Sequence, residues 1–123
     1  GANLTLVEGA GGWRVPVNER ETLADLAVAL AIPVVLVVGM RLGCINHTLL
    51  TVEAISRDGL KLAGWVANCI DPQMAELDAN IMTLQHRIQA PMLGVVPNLA
   101  SIEKVSARMA ACQTYLDLEM LLN

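Results

Sequence analysis

With 123 residues the chain is one domain or a piece of one, and 54% of it is hydrophobic while only 2% is aromatic. Its core must therefore be built from Val, Leu, Ile, Ala and Met. Eight Lys and Arg against twelve Asp and Glu leave a net charge of −4; without a basic run and with so few aromatic residues to stack bases, nucleic-acid binding is not expected.

Cys44, Cys69 and Cys112 are scattered, odd in number and form no C-x-x-C pair. That favours reduced thiols in a cytoplasmic protein over a disulfide framework. No uncharged stretch is longer than Leu26 to Met40, which is broken by Pro33. It is short of the ~20 apolar residues of a membrane span. No basic stretch precedes an apolar one at the start, so a secretion signal is not expected. The chain begins abruptly, with Leu4 already inside a strand-like run, as a cut chain or cleaved product would.

In chain order, Leu4 to Val7 reads as a short strand. Thr22 to Ala31 reads as a helix that Thr22 can cap. Pro33 to Val38, PVVLVV, is a strand without alternation. That pattern belongs to strands buried on both faces of a parallel sheet. Asn46 to Arg57 is a helix with Ile45, Leu49, Val52 and Ile55 at helical spacing, and Gly64 to Ala67 is a strand. Met74 to Ile88 is a helix with Met74, Leu77, Ile81, Leu84 and Ile88 on one stripe. Met92 to Val96 is a weaker strand, and Ile102 to Leu122 a last helix. Alternation of strand and helix predicts an α/β fold: an open, mainly parallel sheet with helices on both faces. Ligands of such sheets sit beyond the carboxyl ends of the strands. Here those ends are Glu8 to Trp13, Gly39 to Asn46, Asn68 to Pro72 and Pro97 to Ala100.

Three of these ends carry residues fit for chemistry. Glu8-Gly9-Ala10-Gly11-Gly12-Trp13 places a carboxylate after an apolar strand and before a Gly-rich turn. This is the pattern of a Walker-B strand beside Mg²⁺ and phosphate; a surface Glu before a flexible turn is the plainer reading. Gly39 to His47 joins a strand to a helix start, where free N–H groups and the helix dipole suit an anion. It is equally a strand–helix turn capped by Asn46, and it lacks the Gly-Lys-Ser/Thr of a Walker A loop. Asn68 ends Gly64-Trp65-Val66-Ala67 and could pair with the N6 and N7 edge of adenine, or simply open the Asp71-Pro72 turn. His47 and His86 lack metal-ligand spacing and read as structural. Cys44 has no paired base that would make it a nucleophile.

Together, Val7 to Trp13, Leu42-Gly43-Cys44-Ile45-Asn46-His47, Gly64 to Asn68, and Ala90 to Gly94 with Pro97 resemble dethiobiotin synthetases over nearly the whole chain. The resemblance implies the C-terminal part (residues 1–123) of a single P-loop NTPase-like α/β domain, working as a homodimer with its active site at the subunit interface. It implies an ATP- and Mg²⁺-dependent cyclo-ligase of biotin synthesis, which closes a cyclic urea from 7,8-diaminononanoate and CO₂. It further implies that Glu8 is the metal-site carboxylate. ATP would be met by Glu8, Gly9, Ala10, Gly11, Asn68, Cys69, Pro97, Asn98 and Leu99, with Asn68 reading adenine. The substrate carboxylate would be met by Leu42, Gly43, Cys44, Ile45 and Asn46.

The family's Walker A loop, its lysines and a metal-binding Asp are absent from this stretch, so no catalytic residue is expected in it and it should be inactive alone. Cys69 stands where relatives often carry a polar residue, and Asn98 where an aromatic is expected. Lys104 stands at the position expected to hold an acidic nucleotide contact near Glu103. Two other readings are a related cobyrinate amidase-type ligase, against which the LGCINH segment speaks, and a non-catalytic dimerisation or regulatory module of the same fold.

Overall fold

The computed structural model describes residues 4–121. Three strands, β1 (Val34–Gly39), β2 (Leu62–Asn68) and β3 (Met92–Val96), form one parallel sheet in the order β1-β2-β3. Helix α1 (Leu23–Leu30) precedes them, α2 (Cys44–Arg57) and α3 (Leu77–Arg87) lie between them, α4 (Val105–Gln113) follows, and a 3₁₀ turn, Glu119–Leu121, comes last among the described residues.

Period-two alternation sends neighbouring side chains of a strand to opposite faces, and this divides the core in two. On one face Val38, Trp65 and Ala67 pack with Met40 and Cys44, and with Ile81, Leu84 and Ile88 of the α3 stripe. On the other face Val66, Leu93 and Val96 are covered by Leu99, Cys112, Leu116 and Leu121. Helical cover on both sides of the sheet thus follows the expectation. Trp65 is fully buried (0% exposed), and its indole N–H has no partner among the described residues.

Several expectations need correction. Leu4 to Val7 is not a strand: it joins no ladder, and Leu4, Leu6 and Val7 are exposed. A strand exists only beside a partner that takes its N–H and C=O groups, and none of the described strands lies there. β1 is not buried on both faces either, since Val37 is 60% exposed and Val35 also faces solvent. β1 is an edge strand, and the apolar cover of the second face lies over β2 and β3 only.

The helix predicted over Met74 to Ile88 starts at Leu77. Asp71 organises a turn first, its Oδ1 accepting from Gln73 N–H at 2.9 Å, and Glu76 takes a left-handed conformation (φ 56°). The last helix is broken rather than continuous from Ile102. After α4 the chain bends across β3, with Asp117 N–H donating to Leu93 O at 2.7 Å and Leu116 entering the core; Leu122 lies outside the described residues. Asn46 does not cap α2. The cap is Gly43 in the left-handed region (φ 93°), and the helix opens at Cys44, two residues before it was expected to. Thr22 does precede α1 as expected, and its N–H donates to the Asp25 carboxylate at 2.7 Å.

Candidate functional site at the carboxyl ends of the strands

Parallel pairing brings the three strand ends side by side. Gly39 lies opposite Asn68, and Asn68 opposite Val96. The ladder runs one step further, with Met40 N–H donating to Asn68 O and Cys69 N–H to Val96 O, each at 2.8 Å. Beyond it, the Asn98 amide donates to Ile70 O at 3.3 Å, and Asn98 Oδ1 accepts from Ala100 N–H at 2.9 Å. The segments Gly39 to Asn46, Asn68 to Cys69, and Pro97 to Leu99 therefore share one end of the sheet. Asn98 spends its side chain on its own loop. Asn68 is half-buried and its side-chain amide makes no hydrogen bond among the described residues.

Helix α2 opens directly above this end. Gly43 turns the chain, Cys44 N–H donates to Arg41 O at 3.0 Å, and His47 N–H donates to Gly43 O at 3.1 Å. The N–H groups of Ile45 and Asn46 have no backbone acceptor among the described residues. Two unpaired N–H groups at the positive end of a 14-residue helix suit a carboxylate or phosphate. Leu42, at the tip of the turn, is 96% exposed. Cys44 points the other way: it is buried, with Sγ 3.9 Å from Asn80 Oδ1 on α3. Cys69 is buried too, and burial first, then the charge of Asp78, pushes its thiol pKa up. The Cys69 thiol is therefore a protonated packing group at neutral pH, and Cys44 packs between α2 and α3.

The Gly-rich segment stands apart. Glu8 is exposed and makes no hydrogen bond among the described residues, and Gly9 lies against the Leu23 side chain. Gly11 (φ 89°) and Gly12 (φ 115°) occupy a region that side-chain-bearing residues avoid, so the turn there depends on glycine. No hydrogen bond among the described residues joins Glu8, Gly9, Ala10 or Gly11 to the strand ends. The segment is held at its exit instead. Trp13 Nε1 donates to Asp58 Oδ2 at 2.7 Å, and Arg14 makes a two-pronged pair with the same carboxylate at 2.6 and 2.9 Å. Asp58 caps the far end of α2, its N–H donating to Ala54 O at 2.9 Å. The Arg14 hydrogen bond, and then that of Trp13, hold the Asp58 carboxyl below its ordinary pKa, and Asp58 in turn raises that of Arg14.

Sequence reasoning missed Asp58 and Asn80. Neither sits in a motif, and each meets its partner across 36 or more positions; only the packing of α2 exposes the relationship. Glu103 and Lys104 both lie exposed just before α4, where the Arg108 side chain donates to the carbonyls of Ile102 and Glu103.

Among the described residues no three His, Cys, Asp or Glu side chains gather to hold a metal, and no helix is long and apolar enough to cross a membrane. Mg²⁺ does not need such a cluster. It binds through one or two carboxylates and completes its shell with phosphate oxygens and water. A lone, unpaired Glu8 carboxylate fits as one ligand of that kind.

A family model described as an AAA domain matches residues 2–106. Across 99% of its length the chain is 62% identical to an ATP-dependent dethiobiotin synthetase of Cellvibrio japonicus, of which it covers 51%. It is 60% identical over 98% of its length to the Pseudomonas aeruginosa (strain UCBPP-PA14) dethiobiotin synthetase, covering 50% of it. With that of Chromohalobacter salexigens it shares 52% identity, covering 52% of that protein. The chain thus spans about half the length of the curated relatives it matches.

Proposed function

Since this chain belongs to the AAA-domain family and matches dethiobiotin synthetases along nearly all of its length, we propose that it forms part of an ATP-dependent cyclo-ligase that makes dethiobiotin. One amine of 7,8-diaminononanoate takes up CO₂ as a carbamate. The γ-phosphoryl group of ATP passes to a carbamate oxygen and ADP leaves. The second amine then attacks the activated carbonyl and expels phosphate, closing the cyclic urea.

The residues of this chain bind and orient. The Ile45 and Asn46 N–H groups receive the substrate carboxylate, with Leu42, Gly43 and Cys44 shaping the turn that presents them. Asn68, whose amide is uncommitted, reads the adenine edge beside Cys69. The backbone of Pro97, Asn98 and Leu99 lines the base. Glu8 offers its carboxylate to Mg²⁺, and Gly9, Ala10 and Gly11 let the backbone approach the nucleotide. Bound Mg²⁺ supplies neutralisation of the phosphate charge. The phosphate-binding loop and the catalytic lysines belong, in this reading, to the remaining half of the protein. A homodimer fits the projecting Leu42, which would carry the substrate turn into the partner's site. A cytoplasmic location fits the three free thiols.

The observation that carries the reading is the convergence of Asn68, the Pro97 to Leu99 loop and the open N-terminus of α2 at one end of the sheet. The test starts from the intact mass of the purified protein and the sequence upstream of Gly1, which identify any P-loop-bearing segment. ADP release is then followed with 7,8-diaminononanoate, bicarbonate, ATP and Mg²⁺. Turnover that depends on the diamino acid supports the ligase. Its absence in the complete protein sinks the ligase and leaves a non-catalytic dimerisation module of the same fold.

A further inference from the structure

Three of the four segments assigned to the site are placed by the sheet register. The fourth, Glu8 to Gly12, belongs to no sheet, and two of its glycines are twisted into left-handed conformations. A segment of that kind takes its position from whatever holds its ends. At its exit two backbone bonds tie the chain to α1, Ala24 N–H donating to Trp13 O at 3.1 Å and Leu23 N–H to Val15 O at 2.9 Å, and one side chain fixes the Trp13 and Arg14 side chains: Asp58 accepts from Trp13 Nε1 at 2.7 Å and from both Arg14 prongs at 2.6 and 2.9 Å. The Arg14–Asp58 pair is the one salt bridge among the described residues.

We propose that Asp58 is a positioning residue for the nucleotide-facing segment, acting through Trp13 and Arg14. Its place in the fold makes this specific. Asp58 caps one end of α2, while the open N–H groups of Ile45 and Asn46 stand at the other end. A 14-residue helix is about 21 Å of rigid strut. The clasp therefore refers the Gly-rich segment to the same element that presents the substrate turn. The five residue steps from Glu8 to Trp13 reach at most about 18 Å, so fixing the Trp13 side chain as well as its backbone narrows the region that Glu8 can occupy. The two-pronged geometry is directional as well as attractive, because a planar guanidinium meets a carboxylate in a fixed plane. This inference rests on the proposed role of Glu8 and Gly9 to Gly11, but the clasp can be tested without it.

Amide hydrogen exchange on the complete protein reads the clasp directly. In Asp58→Ala the amides of Gly9 to Gly12 should exchange about ten-fold faster while those of β1 to β3 hold their rates. Trp13→Phe, which removes a single donor, should give a smaller change at the same amides. The swapped pair Arg14→Asp with Asp58→Arg should restore part of the protection. A uniform acceleration across the strands would mean that Asp58 only stabilises the fold, and unchanged exchange at Gly9 to Gly12 would also overturn the proposal. In the complete protein, Asp58→Asn should raise KM for ATP with Mg²⁺ several-fold and leave KM for the diamino acid unchanged. An equal rise in both overturns the positioning role. If the complete wild-type protein makes no diamine-dependent ADP, the ligase reading fails while the exchange result stands.

Discussion

Gly94 on β3 lies directly beneath the carbonyl of Tyr115, so close that a Cβ at position 94 would overlap that oxygen and sit 3.3 Å from Leu116 Cα. The obstacle is backbone, which cannot swing aside as a side chain can. This contact is how the segment after α4 crosses β3 and delivers Leu116 to the core.

Gly94→Ala should therefore dislodge that crossing and cost about 1–3 kcal/mol, in the range of overpacked sites. Gly64→Ala is the comparison: the nearest atoms to its Cβ belong to the buried Leu93 side chain, at 2.9 Å, which can shift where backbone cannot, so its cost should be smaller. Urea unfolding of the two variants tests the order.

Truncation of two leucines should separate core from surface. Leu84 is fully buried beneath α3, and Leu84→Ala should cost about 2–5 kcal/mol. Leu42 projects into solvent, and Leu42→Ala should change stability by no more than about 0.5 kcal/mol. If Leu42 makes the proposed contact between copies, the same substitution should shift the complete protein toward monomer in sedimentation, with little effect on its fold.

The Arg14–Asp58 clasp predicts a pH dependence. The Asp58 carboxyl is held below its ordinary value of 3.8, chiefly by the Arg14 hydrogen bond and then by that of Trp13. A depressed folded-state pKa gives stability that is complete above the unfolded value and disappears as pH falls through the folded one. Wild type should therefore exceed Asp58→Asn in stability at neutral pH, and the difference should shrink below about pH 4. A gap that stays constant down to about pH 2.5 would contradict the clasp. The raised pKa of Arg14 lies above this range and adds no change within it.

The three thiols should react in a set order. Cys112 is half-buried, whereas Cys44 and Cys69 are buried and the Cys69 thiol titrates high because of that burial. A thiol-directed reagent at neutral pH should modify Cys112 first. Cys69 should react only on the timescale of opening, and mass mapping of the labelled peptides gives the order.

Much of this was legible along the chain. The i, i+3, i+4 stripe from Leu77 through Ile81 to Leu84 and Ile88 marks the buried side of α3, because helical geometry alone puts those residues on one face. That the segments beginning at Gly39, Asn68 and Pro97 meet at one edge was legible for a similar reason: an open parallel sheet gathers the loops that follow its strands at the carboxyl ends. The failures also have causes. Leu4 to Val7 has the composition of a strand, but a strand is a relation between two segments, and no partner lies beside it among the described residues. Asn46 was read as the helix cap because its side chain can serve as one. Gly43 took the role because the chain must turn through positive φ before α2 can point away from β1.

The order of strands and helices, the composition of the core and the resemblance to one family were therefore decided by the sequence itself, through local periodicity and short motifs. Only the tertiary structure decided that Asp58 meets Trp13 and Arg14, that Tyr115 passes over Gly94, and that β1 leaves Val35 and Val37 uncovered. These are contacts between residues far apart in the chain. No local propensity encodes them, and they exist only once the helices have packed on the sheet.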